Sequence, residues 1–252
     1  MRRVDRLLQA TALAEGRHFW FRGLRAFATP LIRRSTATVS APRILDCGCG
    51  TGANLGVLAR FGRAYGFDRS SAGLRLARAS GRHDLTRASV AAVPFPGAAF
   101  DLVTSFDVLY ALDERDERAA VSEMYRLLKP GGYAIVNVAA MGALRGDHSV
   151  LSHERRRYTR QSLRRLLEAA GFVVVRLTYT NASLFVPLAL VRTLQRWRGL
   201  SSEDDATREI TVPPAPVNAL LSGLLLLESV WVRRLDEPFG SSLLCLARKP
   251  AA

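Results

Sequence analysis

The sequence predicts an α/β fold: an open sheet of about seven strands, mostly parallel with the last strand antiparallel, and helices on both faces. Two observations predict it. From Arg43 onward, short apolar runs alternate with helical patterns, which is the mark of parallel strands joined by right-handed crossovers. The first of these runs, RILDCGCGTG from Arg43 to Gly52, stops in a turn with glycines at 48, 50 and 52, just before a helical pattern begins. Glycine there lets the backbone take positive φ and come within contact distance of a ligand, so the turn reads as a nucleotide cradle.

Taken in order, strands are expected near 43–47, 64–68, 84–88, 101–105, 132–139, 172–179 and 242–248. Helices are expected near 52–62, 71–79, 116–128 and 159–170, the last opened by Thr159 as N-cap and closed by Gly171. Residues 1–42 read as two helical pieces with Leu7, Leu8, Leu13, Phe19 and Trp20 at apolar positions and Pro30 near the start of the second. Some 60 residues separate the last two strands, Phe172–Thr180 and Ser241–Arg248, so that interval is an insertion. It holds the apolar run Ala182–Leu194, a polar stretch, the proline cluster at 213–216 and the apolar run Asn218–Val232. Three units follow: an N-terminal helical cap over 1–42, a core over 43–180 with 241–250, and an apolar helical insertion over 181–240.

Composition bounds the function. At 252 residues, 48% hydrophobic and 23% charged, the chain is ordinary globular material and disorder is excluded. The formal charge is +14, and Lys129 and Lys249 are the only lysines among 36 basic residues. Such a balance draws a protein towards nucleic acid or acidic lipid surfaces. Cys47, Cys49 and Cys245 fit neither a disulfide framework nor a zinc site, and no metal is expected. The polar residues after Met1-Arg2-Arg3 do not form a signal-peptide core, which sets the expectation of a cytoplasmic protein.

Sixteen residues past Gly52, Asp68 ends the second apolar run, where a carboxylate offers two acceptors to a ribose diol. An adenosine-type cofactor is therefore expected. With Asp46 placed just before the glycines, the loop resembles the signature of the class I S-adenosylmethionine-dependent methyltransferases, which are Rossmann-like. Further matches follow in order: Pro94-Phe95-Pro96, Phe100-Asp101-Leu102-Val103 and Leu127-Leu128-Lys129-Pro130-Gly131-Gly132. The chain looks like the bacterial type 11/12 members, over about Arg43 to Phe172.

That resemblance implies S-adenosylmethionine as cofactor and an enzyme that methylates a small-molecule or lipid-linked acceptor on oxygen, nitrogen or carbon. It implies cofactor contacts from Asp46, Gly48, Cys49, Gly50, Asp68, Arg69, Ser89, Val90, Phe106 and Asp107, and from Trp20 and Arg22 in the segment before the core. Two positions depart from the pattern: Ser89 stands where relatives carry an acidic residue, and Ala111 where many carry a histidine. For a proton acceptor the candidates are His153 and His148, after the fifth strand; His153 matches a His then Arg-Arg-Tyr-Thr pattern of relatives. The arginines 155–157, 160, 164 and 165 form either a solvated helix face or a grip for a phosphate-bearing acceptor.

Neither apolar run of the insertion reaches the ~20 residues that span a bilayer. Three uses remain: a lid over the acceptor, helices lying at the inner face of the membrane with Arg192, Arg196, Trp197, Arg198, Trp231, Arg233 and Arg234 at the polar boundary, or the surface of a homodimer. The alternatives to the leading function are an RNA methyltransferase, for which no appended RNA-binding motif is present, and a cofactor-binding protein without catalysis.

Overall fold

The computed structural model describes residues 3–144, 149, 154–198 and 211–251. Seven strands form one sheet in the order β3-β2-β1-β4-β5-β7-β6. β1 (Arg43–Cys47), β2 (Arg63–Asp68), β3 (Leu85–Arg87), β4 (Phe100–Phe106) and β5 (Leu128–Ala139) run parallel, and β7 (Ser242–Arg248) lies antiparallel between β5 and β6 (Val173–Thr180). The strand order reverses at β1 and β4, so a crevice opens beyond their carboxyl ends.

Successive strand residues point to opposite faces. Leu45, Val103 and Val136 join one buried cluster, Ile44, Leu102 and Ile135 the other. The first is closed by α5 (Glu114–Leu127) and α6 (Arg160–Ala169) through Val121, Met124, Leu163 and Leu167. The second is closed by α2 (Phe19–Thr36) and α3 (Ala53–Leu58), which follow α1 (Arg3–Ala14) and bury Phe27, Leu31, Ile32, Leu55 and Leu58. On the β2 and β3 side lies α4 (Ser71–Ala79), whose N-cap Ser70 accepts a hydrogen bond from the Gly73 N–H.

Several boundaries differ from the sequence expectation, each for a local reason. Pro30 lies inside α2 rather than near a start, because the helix is already anchored by His18, whose Nδ1 accepts from the Trp20 N–H at 3.2 Å. Asp113 caps α5 by accepting from the Asp116 N–H at 2.8 Å, which starts that helix ahead of residue 116. Strand β5 begins at Leu128 instead of 132, since Leu128 pairs with Phe100 before the ladder shifts to Leu102 with Tyr133. Asp101 holds this corner, accepting from Arg43 N–H at 2.9 Å and Lys129 Nζ at 2.7 Å. Lys249 donates to the carbonyls of Tyr125 and Leu128, so both lysines tie strand ends together.

Between β6 and β7 the chain forms α7 (Phe185–Arg198) and α8 (Ala215–Val232). Pro216 sits in the first turn of α8, where a missing N–H costs nothing, so the helix extends three residues before Asn218. At 18 residues and mean hydropathy 1.5 it is long and apolar enough, by those two criteria alone, to cross a membrane. It packs instead along α2, and the approach is close: a Cβ on Gly23 would come 2.5 Å from Leu225 Cδ1.

Candidate active site

The glycine-rich loop is shaped by what lies behind it. Gly48, Gly50 and Gly52 all have positive φ, and the N–H groups of Gly48 and Cys49 both donate to the Phe67 carbonyl at 2.9 Å. A Cβ on Gly48 would come 2.6 Å from Val108 Cγ2, so that glycine is required by contact as well as by conformation. Asp68 braces the other side: its Oδ2 accepts from the Gly50 N–H at 2.8 Å and its Oδ1 from the Ser70 N–H at 2.7 Å.

Asp46 is buried beside this loop and accepts from Thr104 Oγ1 at 2.6 Å. Burial pushes its carboxyl up to about 7, helped by the nearby Asp68 charge and opposed by the Thr104 hydrogen bond. Burial likewise raises the Cys49 thiol, which leaves it inert as a nucleophile.

The N-terminal helices lie over the loop. A Cβ on Gly50 would come 3.6 Å from Leu8 Cδ2 of α1. Thr51 Oγ1 sits 2.6 Å from both carboxylate oxygens of Glu15, and the backbone carbonyl of Glu15 accepts from Arg25 at 2.6 Å.

Beyond the carboxyl ends of β4 and β5 is a cavity of about 360 Å³. Its apolar wall comes from Phe19, Trp20 and Phe21 of α2, from Leu184, Pro187, Leu188 and Val191 at and after the start of the insertion, and from Leu221 of α8. The polar groups at its wall are few: His18, Asp107, Tyr110, Glu154, Arg157, Ser241 and Ser242. Arg157 holds Glu154 by two hydrogen bonds, 2.6 and 2.9 Å, and donates to the Ala140 carbonyl at 3.1 Å. Both side chains are buried, so the ion pair presents little net charge to the cavity.

Asp107 stands out in this wall. It follows directly on β4 with φ +60, an uncommon conformation for a residue with a side chain. Two bonds to one partner hold it there: its N–H donates to the Asn137 carbonyl at 3.0 Å, and Asn137 Nδ2 donates to its Oδ1 at 2.8 Å. Burial pushes its carboxyl up to about 6, with the Glu154 charge adding to the rise and the Asn137 hydrogen bond opposing it.

Residues 45–136 match the family described as "Methyltransferase domain". Over those residues the chain resembles the class I S-adenosylmethionine-dependent methyltransferases. It is 31% identical over 161 residues to a "Probable S-adenosylmethionine-dependent methyltransferase" of Mycolicibacterium smegmatis, covering 62% of this chain and 60% of the relative. It is 34% identical over 108 residues to a malonyl-[acyl-carrier protein] O-methyltransferase of Enterobacter lignolyticus, covering 40% of this chain and 41% of that one. The match thus spans about half the length of these relatives. In fold the chain is similar to the crystal structure of a methyltransferase, "possible histamine N-methyltransferase", from Thermotoga maritima, with TM-score 0.59, 17% identity and 98% of each chain covered.

The cofactor of this domain is S-adenosylmethionine, and the residues present fit it. Each Asp68 oxygen accepts one backbone hydrogen bond and keeps lone-pair capacity for a ribose hydroxyl. Asp46, Gly48, Cys49, Gly50 and Asp68 lie together at the ends of β1 and β2, with Arg69 exposed just beyond. Ser89 and Val90 follow β3, and Ser89 Oγ is engaged by the Ala91 N–H at 3.3 Å in its own turn.

Other expected residues lie elsewhere. Phe106 turns away from the cavity and packs by Leu24, Ala28, Val57 and Leu58, because its position on β4 points it to the α2 and α3 face. Trp20 lines the cavity rather than the glycine-rich loop, and Arg22 donates to Ser222 Oγ of α8 at 3.3 Å, because α2 lies against α8. His148 and His153 lie outside the described residues. Four arginines of the run are engaged within the fold rather than turned to an acceptor: Arg156 pairs with Glu117 at 2.8 Å, Arg157 with Glu154, Arg164 with Glu168 at 3.3 Å, and Arg160 donates to the Glu237 carbonyl.

Sequence reasoning did not single out His18, Tyr110 or Glu154 as site residues, and named Arg157 only within the arginine run. His18 had a local signal, its place before a dense aromatic segment, but Glu154 and Arg157 are brought to the cavity only by the chain's return after β5.

Proposed function

We propose that the protein transfers a methyl group from S-adenosylmethionine to an oxygen or nitrogen of an apolar, small-molecule or lipid-linked acceptor, with Asp107 taking the acceptor's proton. One observation carries this reading: a carboxylate with its pKa lifted to about 6 sits on the wall of a largely apolar cavity at the carboxyl edge of the sheet. When bound, the cofactor supplies a sulfonium methyl, an electrophile that needs placement and desolvation rather than activation.

The chain's own residues supply the rest. Asp68 and the loop glycines orient the adenosine part, and the apolar wall excludes water and orders a greasy acceptor. Asn137 fixes the Asp107 carboxylate in one orientation. We read residues 1–42 as the cofactor cover and 181–240 as the acceptor lid. The net charge favours an RNA acceptor, but Arg156 and Arg157 beside the cavity are paired internally, which weighs against it.

The test is transfer of radiolabelled methyl from the cofactor to a lipid extract, compared with a polar-metabolite extract and with RNA. Label in an apolar product, lost in Asp107→Asn, supports the reading. Label in RNA replaces the acceptor class, and binding of cofactor without transfer to any extract rejects catalysis.

A further inference from the structure

The insertion between β6 and β7 is built inside out. Along α8 the buried positions include Asn218, Ser222, Glu228 and Ser229, with Leu225 and Val232 among them. Asn218 and Ser222 are held by α2 and the turn before it, Glu228 by the chain that leaves β6, and Ser229 by the Leu226 carbonyl of its own helix. Asn218 Oδ1 accepts from the Phe19 N–H at 2.9 Å and its amide donates to the Arg17 carbonyl at 2.9 Å. Ser222 accepts from Arg22, and Glu228 accepts from the N–H groups of Ala182 and Ser183 at 2.9 and 3.0 Å.

The opposite side of α8 carries Val217, Leu220, Leu224, Leu227 and Trp231, three and four residues apart and all exposed, with Leu220 and Leu227 each 72% exposed. On α7, Val186, Leu190, Leu194 and Trp197 are exposed too, Trp197 at 86%. A helix that turns its polar side to protein and its apolar side outward reverses the pattern of a water-facing helix, and an apolar face of this extent marks an interaction site.

We propose that this face docks the protein onto the surface of an anionic bilayer, with α7 and α8 lying in the headgroup boundary. Charge selects that occupant. The chain carries +14, and the exposed pair Arg233 and Arg234 follows Trp231 after the single buried residue Val232, which sets indole and guanidinium groups at the same helix end as interfacial helices do. A second copy of the chain would bring +14 against +14, and the apolar stripe offers it no polar group to fix a register.

The cavity also reaches this face. Val191 lines the cavity and is 50% exposed, and Leu188 and Leu221 line it from the same two helices. An apolar acceptor can therefore pass from the headgroup boundary to Asp107 without crossing water. This route rests on the reading of the cavity given above; the docking face does not. The bonds of Asn218 to the start of α2 and of Glu228 to the chain directly after β6 hold both halves of α8 against the rest of the protein, so the helix lies on the membrane and does not cross it.

The test is flotation of the full chain, without cofactor, with vesicles of phosphatidylglycerol and phosphatidylcholine or of phosphatidylcholine alone. The expected result is at least about tenfold stronger binding to the anionic vesicles, lost about tenfold or more in Leu220→Glu with Leu227→Glu. Both residues are exposed, and an unchanged Tm and cofactor affinity of that variant shows that the fold is intact. Equal binding by variant and wild type, or none by wild type, overturns the proposal. So does a wild-type dimer in sedimentation that the variant disperses, which assigns the face to a second copy. Vesicle binding requires no methyl transfer, so its failure and failure of the acceptor reading are read separately.

Discussion

Thr51 and Glu15 clip the N-terminal helices to the glycine-rich loop: the threonine hydroxyl lies 2.6 Å from both carboxylate oxygens. Glu15 is partly buried, which raises its carboxyl above the ordinary range even though Thr51 and Arg25 oppose the rise. Replacing Thr51 with Val leaves that carboxylate without its donor. The expected cost is about 1–3 kcal/mol of stability, together with several-fold weaker cofactor binding as α1 loosens from the loop. Thermal unfolding and calorimetric titration measure the two; an unchanged affinity would separate the helical cover from cofactor binding.

Asp68 carries two backbone hydrogen bonds, from Gly50 and Ser70, besides its expected ribose contact. In Asp68→Asn one oxygen becomes an amide nitrogen that faces an N–H donor and can no longer accept. S-adenosylmethionine affinity is expected to fall at least about tenfold, the loss of a charge-assisted bond worth about 1.5–3 kcal/mol. Binding within twofold of wild type would remove Asp68 from the cofactor site.

Burial pushes the Asp107 carboxyl up to about 6. Its basic form accumulates above that pH, so kcat is expected to rise with pH and level off about one unit above 6. Asp107→Asn is expected to lose about 10²–10⁴-fold in kcat while cofactor affinity stays within a few-fold. A flat wild-type profile between pH 5 and 8, or a variant that keeps its rate, removes Asp107 as the proton acceptor.

Asp46 affects stability with the opposite sign to a salt-bridged aspartate. Its folded pKa of about 7 lies above the unfolded value, so the native state holds a proton that the unfolded chain releases. Stability from this group is complete below the ordinary aspartate range and is lost as pH rises through about 7. Asp46→Asn keeps a carbonyl for Thr104 and removes the ionisation, so its advantage over wild type should grow to about 1–3 kcal/mol by pH 8. Urea unfolding at pH 4 and pH 8 reads the difference; an advantage that is equal at both values contradicts the shift.

Gly23 and Leu225 set the spacing of α2 against α8. A Cβ at Gly23 would meet Leu225 Cδ1 at 2.5 Å, so Gly23→Ala is expected to cost about 1–3 kcal/mol by overpacking. Leu225 is fully buried, and Leu225→Ala is expected to cost about 2–5 kcal/mol. The double variant should cost less than the two summed, since the new methyl fills part of the space; strict additivity would mean that the contact is not shared.

The parallel part of the fold was legible because its signals are local. The glycines at 48, 50 and 52 need positive φ whatever surrounds them, and strand–helix alternation from Arg43 follows from the spacing of apolar residues along the chain. The capping box at Thr159, with Ser162, and the positive φ of Gly171 likewise reside in a few adjacent residues. Boundaries moved where a distant partner intervened, as at Leu128, which Phe100 draws into β5.

What the sequence by itself determined is therefore the cofactor half: a strand, a glycine-rich turn and an acidic residue on the next strand, whose geometry is set by backbone conformation over a few residues. Only the tertiary structure decided which way side chains face and what they meet. It turned Phe106 to the α2 and α3 face and Arg22 to Ser222, closed Arg156, Arg157 and Arg164 onto Glu117, Glu154 and Glu168, and turned Asp107 to the cavity. It also showed that α8 points its polar residues inward. An apolar stretch reads the same whichever face is buried, because the direction of burial depends on partners roughly 200 residues away in the chain, such as Phe19 and Arg17 on Asn218.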